Sequence, residues 1–197
     1  MYQVIVLRNG SCKDEHNGYI VYCTITLIKG EFNVLVDPGG YWDQEVLVKG
    51  LKENDLDPAD IDYVICSHGH SDHIGNLHLF PKAIKIISND VSRGNVYFKD
   101  NPLKKGEDYV VDENLRIIST PGHTCNDISV LVETKEYGKV IVAGDIFECE
   151  EDIENPSLWM ENCEMPSTDK QEESRRAITK MANYIVPGHG AMFQVKK

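Results

Sequence analysis

The chain has 197 residues, of which 41% are hydrophobic and 26% are charged, a composition typical of globular proteins and unlike that of disordered or fibrous chains. Asp and Glu number 32 against 20 Lys and Arg, a formal net charge of −12, which argues against long polyanions as the main partners. The apolar runs are too short for a membrane span, so we expect a single domain over residues 1–197 with no membrane partner.

The predicted elements alternate along the chain. In chain order, apolar periodicity predicts strands near 2–7, 19–28, 32–37, 61–66, 84–88, 115–119, 128–133, 139–144 and 184–187, and helices near 43–53, 73–79 and 170–182. Strands come first and are then mixed with helices, which indicates two sheets packed face to face with helices outside. The pattern predicts an α/β protein but does not choose among α/β folds.

The most informative segment follows the strand near 61–66. It places four side chains that bind metals within six residues: His68, His70, Asp72 and His73. Side chains two residues apart in an extended chain share a face, so His68 and His70 can reach one ion together. Asp72 and His73 fall in the following turn or helix start. Because these local geometries differ, a second neighbouring ion is the simpler interpretation.

Three later strands end in a Gly followed by another side chain that binds metals. The three are His123 after Gly122, Asp145 after Gly144, and His189 after Gly188. Glycine permits a sharp turn or a close backbone approach at each strand end. Neutral imidazole suits zinc or iron, and a carboxylate can bridge two cations. The strand ends therefore predict one metal centre built from distant parts of the chain.

The order of these motifs, His-x-His-x-Asp-His, Gly-His, Gly-Asp and Gly-His, resembles the metallo-β-lactamase superfamily. Asp37, at the end of the apolar run 34–36, is similar to the first motif of that family, in which an aspartate orients the metal loop. The resemblance extends from Asp37 to His189. It implies the αββα sandwich of the metallo-β-lactamase fold, with metals at one edge of the sheets.

The resemblance also implies two divalent cations, zinc first, with iron or manganese as alternatives. One ion would be held by His68, His70 and His123. The other would be held by Asp72, His73 and His189, and Asp145 would bridge the two. We expect a metal-bridging hydroxide to attack a carbonyl or phosphoryl centre. Asp72 and Asp145 are the expected catalytic residues, with Asp72 binding one ion and orienting the nucleophile or relaying a proton.

The substrate stays open between RNA and a small molecule. The closest-looking branch of the superfamily is one for which a ribonuclease role in histone pre-mRNA processing is proposed, so an endoribonuclease is one expectation. Hydrolysis of a small ester, thioester or lactam is an alternative that the acidic composition allows. A mononuclear iron dioxygenase of the persulfide type keeps a similar ligand set and is a second alternative. A domain that binds metal or a partner without catalysis is the least favoured.

Charge and cysteine patterns add further expectations. Residues 145–164 carry eight acidic side chains and no Lys or Arg, so this acidic loop should repel phosphate backbones. Six basic residues could form a compensating face or an ordinary solvated one: Lys82, Lys85, Arg93, Lys99, Lys104 and Lys105. Trp159 either anchors the acidic loop on its own domain or joins a homodimer contact.

Six scattered cysteines suit a reducing compartment, so we expect the cytoplasm, with the nucleus as an alternative.

Overall fold

The computed structural model describes residues 1–196. Within that range the strands, in chain order, are β1 (Gln3–Arg8), β2 (Ser11–Glu15), β3 (Gly18–Tyr22), β4 (Ile25–Lys29), β5 (Asn33–Val36), β6 (Tyr63–Cys66), β7 (Ile84–Ile87), β8 (Asp90–Arg93), β9 (Val96–Tyr97), β10 (Tyr109–Asp112), β11 (Leu115–Ser119), β12 (Ile128–Thr134), β13 (Gly138–Gly144), β14 (Tyr184–Pro187) and β15 (Phe193–Gln194). The α-helices there are α1 (Gln44–Glu53), α2 (Ser71–Ile74), α3 (Ser157–Met160) and α4 (Asp169–Met181). Short 3₁₀ turns occupy Tyr41–Asp43, Pro58–Asp60, Leu77–Leu79, Pro102–Lys105 and Glu150–Ile153. Lys197, the last residue of the predicted domain, lies outside the described residues.

The strands form two mixed sheets and one separate hairpin. The first sheet has the order β1-β4-β5-β6-β7-β8-β9, and the second has the order β10-β11-β12-β13-β14-β15. β5, β6 and β7 run parallel in the first sheet, and β13 and β14 run parallel in the second. Among the described residues, β2 and β3 pair only with each other. The loops that carry the predicted ligands follow β6, β11, β13 and β14.

Alternating side chains explain how the layers stack. Along β5, Val34 and Val36 join the core between the sheets, whereas Leu35 joins the cluster beneath α1. Along β13, Val142 joins the core between the sheets, whereas Ile141 joins the cluster beneath α4. Successive side chains of a strand point to opposite faces, so each sheet buries one face on the other sheet and one on a helix. The αββα sandwich expected from the resemblance is confirmed.

Two predicted elements are wrong in detail. The strand near 19–28 is two strands, β3 and β4, which belong to different sheets and are separated by Cys23 and Thr24. The helix near 73–79 stops early: α2 ends at Ile74 and a 3₁₀ turn follows. Gly75 N donates to Gly39 O at 2.8 Å and the Asn76 amide donates to Pro38 O at 2.9 Å. These bonds attach the segment to the loop after β5, so the helix does not continue.

Several elements were not foreseen. Strands β2, β8, β9, β10 and β15 and the short helix α3 have no counterpart among the predicted elements. Most of these are short or lie at sheet edges, where apolar alternation is weak. In residues 1–196, every helix is too short or too polar to cross a bilayer.

Candidate metal centre

The loop after β6 is fixed by a buried aspartate from the neighbouring strand. Asp37 is 1% exposed and lies in the left-handed region at φ 51°, a conformation that costs energy unless its surroundings enforce it. Its carboxylate accepts from Ser67 N at 2.8 Å and from Ser67 Oγ at 3.0 Å. The Ser67 hydroxyl also lies 3.0 Å from His68 Nδ1. Asp37 thus positions the start of the ligand loop, as the resemblance implied.

The first ligand group consists of His68, His70 and His123, which converge with Asp145. His68 Nε2 lies 2.8 Å from His70 Nδ1, and His123 Nε2 lies 3.2 Å from the same atom. Asp145 Oδ2 is 3.6 Å from His68 Nε2 and 3.5 Å from His123 Nε2. One ligand atom from each residue falls within 4.8 Å of the others. Three imidazoles and one carboxylate therefore converge on one point.

The second ligand group consists of Asp72, His73 and His189. Asp72 lies in α2, as expected of a helix start, and its Oδ2 is 3.4 Å from His73 Nε2. Asp145 joins this group too, with Oδ1 3.3 Å from His73 Nε2 and Oδ2 3.1 Å from His189 Nε2. The structure thus brings all seven predicted ligands together and places Asp145 between the two groups.

Two glycines make this approach of the strand ends possible. Gly144 has φ +56°, and a Cβ there would collide with the Ser67 side chain. A Cβ on Gly188 would collide with Asp145 Oδ1. Any larger residue would therefore push one ligand loop away from the other. The strand-Gly-ligand pattern reflects close packing around Asp145.

The second nitrogen of four of the five ligand histidines has a partner of its own, and for His68 Nδ1 that partner is the Ser67 hydroxyl. His73 Nδ1 lies 3.0 Å from Asp37 Oδ2, and His189 Nδ1 lies 3.0 Å from the backbone oxygen of Tyr22. His70 Nε2 lies 3.1 Å from Glu164 Oε1. Such partners fix the tautomer and orientation of ligating histidines. The remaining nitrogens, His73 Nε2, His189 Nε2 and His70 Nδ1, face the ligand groups.

The loop that carries His123 is held by another buried carboxylate. Asp127 accepts from Gly122 N at 3.0 Å, from Thr124 N at 2.7 Å and from the Thr124 hydroxyl at 2.7 Å. Burial raises the pKa of Asp127 to about 6 despite these hydrogen bonds. Asp127 therefore resists ionisation while it organises the His123 loop.

Electrostatics around Asp145 favour positive charge. Burial lowers the pKa of His189, but the Asp145 carboxylate outweighs burial and raises that pKa to about 9. Burial likewise lowers the pKa of His73, and Asp145 with Asp37 shifts it well above the ordinary value. Protons and metal ions compete for the same imidazole lone pairs. The centre is therefore suited to hold cations.

Divalent cations fit the donor atoms. Asp72 Oδ2, His73 Nε2 and Asp145 Oδ1 are buried and have no hydrogen-bond partner among residues 1–196. Leaving such atoms unpaired is costly, and His73 Nε2 lies 3.4 Å and 3.3 Å from the two oxygens. Imidazole nitrogens and carboxylate oxygens are the usual donors for zinc, iron and manganese.

Two carboxylates near the groups were not foreseen as part of the site. Glu148 is 7% exposed and forms a further group of potential ligands with Asp145 and His189. Glu164 contacts His70, and its backbone N donates to His123 O at 2.9 Å. Both belong to the acidic loop, where their spacing gave no signal beyond charge.

A cleft of about 1000 Å³ opens over the ligand groups. The β2–β3 hairpin, Trp42 and Leu158 give it an apolar wall. Its carboxylates beyond the predicted ligands are Asp14, Glu148, Glu161 and Glu164. Among the described residues that line it there is no Lys or Arg. The cleft thus combines an apolar side with an acidic side.

The remaining candidates lie outside the centre. Trp159 is 5% exposed and stacks on Arg175, with 4.8 Å from guanidinium carbon to ring centre, so it anchors the acidic loop on its own domain. His16, at the β2–β3 turn, and His78 are exposed. Within the described part of the chain, none of the six basic residues named above lines the cleft. Lys104 and Lys105 pair with Asp90 and Asp100, as on an ordinary solvated face.

Comparison with known proteins agrees with this geometry. The sequence profile of the metallo-β-lactamase superfamily matches residues 18–189. The chain is 45% identical over 199 residues to metallo-beta-lactamase domain-containing protein 1 of Xenopus laevis, with 100% of this chain and 83% of that protein covered. It spans 63%, 61% and 59% of the rat, mouse and human proteins of the same name.

Solved structures share the fold. A Thermotoga maritima protein assigned to the metallo-β-lactamases superposes with a TM-score of 0.74 at 19% identity, covering 98% of this chain and 99% of that one. A variant of B. thuringiensis AiiA, solved with N-decanoyl-L-homoserine at its active site, superposes with a TM-score of 0.65 at 20% identity, covering 95% and 92%. At this identity the likeness concerns the fold alone.

Proposed function

The chain belongs to the metallo-β-lactamase superfamily of metallohydrolases, and from that premise we propose that it hydrolyses an ester, thioester, lactone or lactam of a small molecule without phosphate charge. The observation that carries this proposal is the cleft, which has an apolar wall, four carboxylates beyond the predicted ligands and, in residues 1–196, no basic lining residue. The AiiA structure with bound N-decanoyl-L-homoserine is consistent with an acyl substrate in this fold.

Charge disfavours RNA as the substrate. Proteins that bind nucleic acids neutralise backbone phosphates with Lys and Arg, and these contacts supply much of the affinity. Along this cleft, neighbouring nucleotides would meet Asp14, Glu161 and Glu164 instead. Metal ions would offset part of this field only at the phosphate undergoing cleavage. The endoribonuclease expectation therefore becomes the competing outcome of the test below.

The predicted ligands would divide the work. His68, His70 and His123 would hold one ion, Asp72, His73 and His189 the other, and Asp145 would contact both. Divalent ions held there would supply Lewis acidity and lower the pKa of water to about 7.

Asp72 is the residue best placed to move a proton. Its side chain is only 13% exposed, and its unpaired Oδ2 faces His73 Nε2 and His189 Nε2. We assign the Asp72 carboxylate to orient the attacking water and to pass its proton to the leaving atom. The β2–β3 hairpin and Trp42 would exclude water from an apolar acyl group. His189, held by the Tyr22 oxygen at the base of the hairpin, links this wall to the centre.

The test compares neutral acyl substrates with phosphodiesters on one metal-loaded preparation. We expect nitrophenyl esters, thioesters and acyl lactones to turn over, and bis(nitrophenyl) phosphate and single-stranded RNA to be cleaved far more slowly. Asp72→Asn should lose acyl turnover while retaining most of its fold. RNA cleavage that equals acyl turnover and disappears in Asp72→Asn would overturn the proposal.

A charge reversal makes the test sharper. Glu161→Lys places a cation in the cleft, and Glu150→Lys makes the same change at an exposed position of the same loop outside it. We expect only Glu161→Lys to improve phosphodiester binding.

Metal analysis of the same protein distinguishes the proposed hydrolase from the iron dioxygenase alternative, which requires one redox-active iron and oxygen uptake. A homodimer contact, as one of two alternatives for Trp159, and the cytoplasmic or nuclear location stay predictions.

A further inference from the structure

Glu148 is a buried carboxylate at the edge of the second ligand group. Its Oε2 lies 3.9 Å from His189 Nε2. One oxygen of Glu148, one oxygen of Asp145 and one nitrogen of His189 fall within 4.8 Å of one another, the same limit that the first ligand group meets. Glu148 is therefore as close to His189 as Asp72 is, whose Oδ2 is also 3.9 Å from Nε2.

The backbone fixes Glu148 in this position. Glu148 N donates to Asp152 Oδ2 at 2.8 Å, and Glu148 O accepts from His189 N at 2.8 Å. Asp152 is itself fully buried and is paired with Arg175 at 2.6 Å. Arg175 packs between the rings of Phe147 and Trp159. The acidic loop is thus anchored on α4, and this anchor holds the Glu148 carboxylate at the ligand groups.

In the described chain, no Lys or Arg side chain forms an ion pair with Glu148. Apart from His189, its one side-chain partner in residues 1–196 is the Asn162 amide, which donates to Oε1 at 3.2 Å. A buried carboxylate is costly unless an opposite charge compensates it. Within hydrogen-bonding reach, no Lys or Arg of the described chain supplies that charge. Asp145 Oδ1 is also buried and, among residues 1–196, has no hydrogen-bond partner.

We propose that Glu148 is a further carboxylate ligand of the ion held by Asp72, His73 and His189. The inference rests on the metal centre of the proposed function. It makes the two sites chemically different, because the first has three imidazoles and one carboxylate, whereas the second has two imidazoles with up to three carboxylates, the shared Asp145 being counted in each. Oxygen donors favour harder ions such as manganese, and imidazole suits zinc. The second site should therefore bind Mn²⁺ better, relative to Zn²⁺, than the first site does.

The experiment measures metal affinity rather than turnover. Metal-free protein is titrated with Mn²⁺ and with Zn²⁺ against a chromophoric chelator, and the first and second equivalents are fitted separately. Glu148→Gln should weaken the second equivalent at least about tenfold for Mn²⁺ and less for Zn²⁺, with the first equivalent nearly unchanged. Glu150→Gln removes the same charge from an exposed position two residues away and should bind both equivalents like the wild type.

Thermal unfolding distinguishes a ligand from a structural residue. Glu148→Gln keeps the size of the side chain and its capacity to accept the Asn162 amide hydrogen bond, so the metal-free variant should melt close to the metal-free wild type. With both ions bound, the variant should melt below the wild type, because it binds the second ion more weakly. A merely structural role would lower both melting temperatures alike, and that result would overturn the inference.

Failure of this inference can be separated from failure of the proposed function. If wild type and Glu148→Gln bind the second equivalent equally well, Glu148 is not a ligand, whatever the protein hydrolyses. Glu148→Asp keeps the charge but has a shorter side chain. If this variant binds the second equivalent like the wild type while Glu148→Gln does not, the negative charge alone explains the effect and Glu148 is not a ligand. If the wild type binds two ions with the expected Glu148 dependence but turns over no acyl substrate, only the proposed function fails.

Discussion

The two ligand groups differ in how the fold supports them. His73, in the second group, is fully buried, and its outer nitrogen faces Asp37, whose side chain is 2% exposed. His70, in the first group, has a side chain that is 39% exposed, and its outer nitrogen faces Glu164, which is 58% exposed. Buried contacts are screened less than exposed ones. The second group is therefore built into the framework, whereas the first depends partly on a surface loop that also lines the cleft.

This difference suggests a division of roles. The framework side fixes one set of donors independently of the loops, and the loop side lets the acidic loop influence the ion of the first group. Asp145 belongs to both sides, because Oδ1 faces His73 and Oδ2 faces His68, His123 and His189. Substitutions that remove one support at a time can test how far the two sides are independent.

The largest effect is expected at Asp145, the ligand that the two groups share. Asp145→Ala removes the carboxylate that both groups share, so both ions should be lost together. Loss of a supporting contact costs about 10–100-fold in metal affinity, and loss of this shared ligand should exceed that for each ion. Metal content after dialysis against a weak chelator measures the effect. Retention of one tightly bound ion would show that Asp145 serves only one group.

The next largest effect is expected at Asp37. Asp37→Ala removes the acceptor for Ser67 N, Ser67 Oγ and His73 Nδ1. We expect the ion of the second group to bind about 10–100-fold more weakly, with a smaller change for the first. Urea unfolding of the metal-free protein should also show a loss on the order of 3 kcal/mol, because buried donors lose a charged partner. Equal weakening of both ions would argue against a framework specific to the second group.

The ligands that follow strand ends, in both groups, are the part of the site that the sequence could predict. His68, His123, Asp145 and His189 follow strand ends, and a strand with a following glycine leaves a recognisable pattern. Glu148 and Glu164 left none, because in sequence they are two of eight acids in a polar loop, and only the packing of Trp159 and Arg175 brings that loop to the centre. The predicted strand at 19–28 failed for a related reason, since apolar alternation does not show where a chain crosses from the hairpin to a sheet.

A third prediction concerns pH and the loop that carries His123. The folded-state pKa of Asp127 is about 6, above its ordinary value of 3.8, and burial is the cause. The folded state therefore binds a proton between about pH 4 and 6 that the unfolded state has released, so this carboxyl contributes less stability as pH rises through that window. Asp127→Asn carries no charge and should lack this loss.

The measurement compares the two proteins at two pH values. The free energy of unfolding of metal-free Asp127→Asn, relative to the wild type, should rise from pH 4.5 to pH 7.5 by on the order of 2 kcal/mol. Other titrating groups are common to both proteins and cancel in the difference. A difference that does not change with pH would mean that Asp127 ionises normally and that its hydrogen bonds compensate its burial.

The smallest effect is expected at Glu164, and its size is itself informative. The pair of Glu164 with His70 is exposed on both sides, and exposed ion pairs contribute about 0–1 kcal/mol, so Glu164→Gln should weaken the ion of the first group by at most about fivefold. Glu161→Gln removes the same charge from the same loop, and this residue has no bond to His70 among those of the described chain. If Glu164→Gln alone weakens binding, the contact orients His70. If both variants do so equally, the acidic loop acts through its field, and His70 is positioned by His68 and His123 alone.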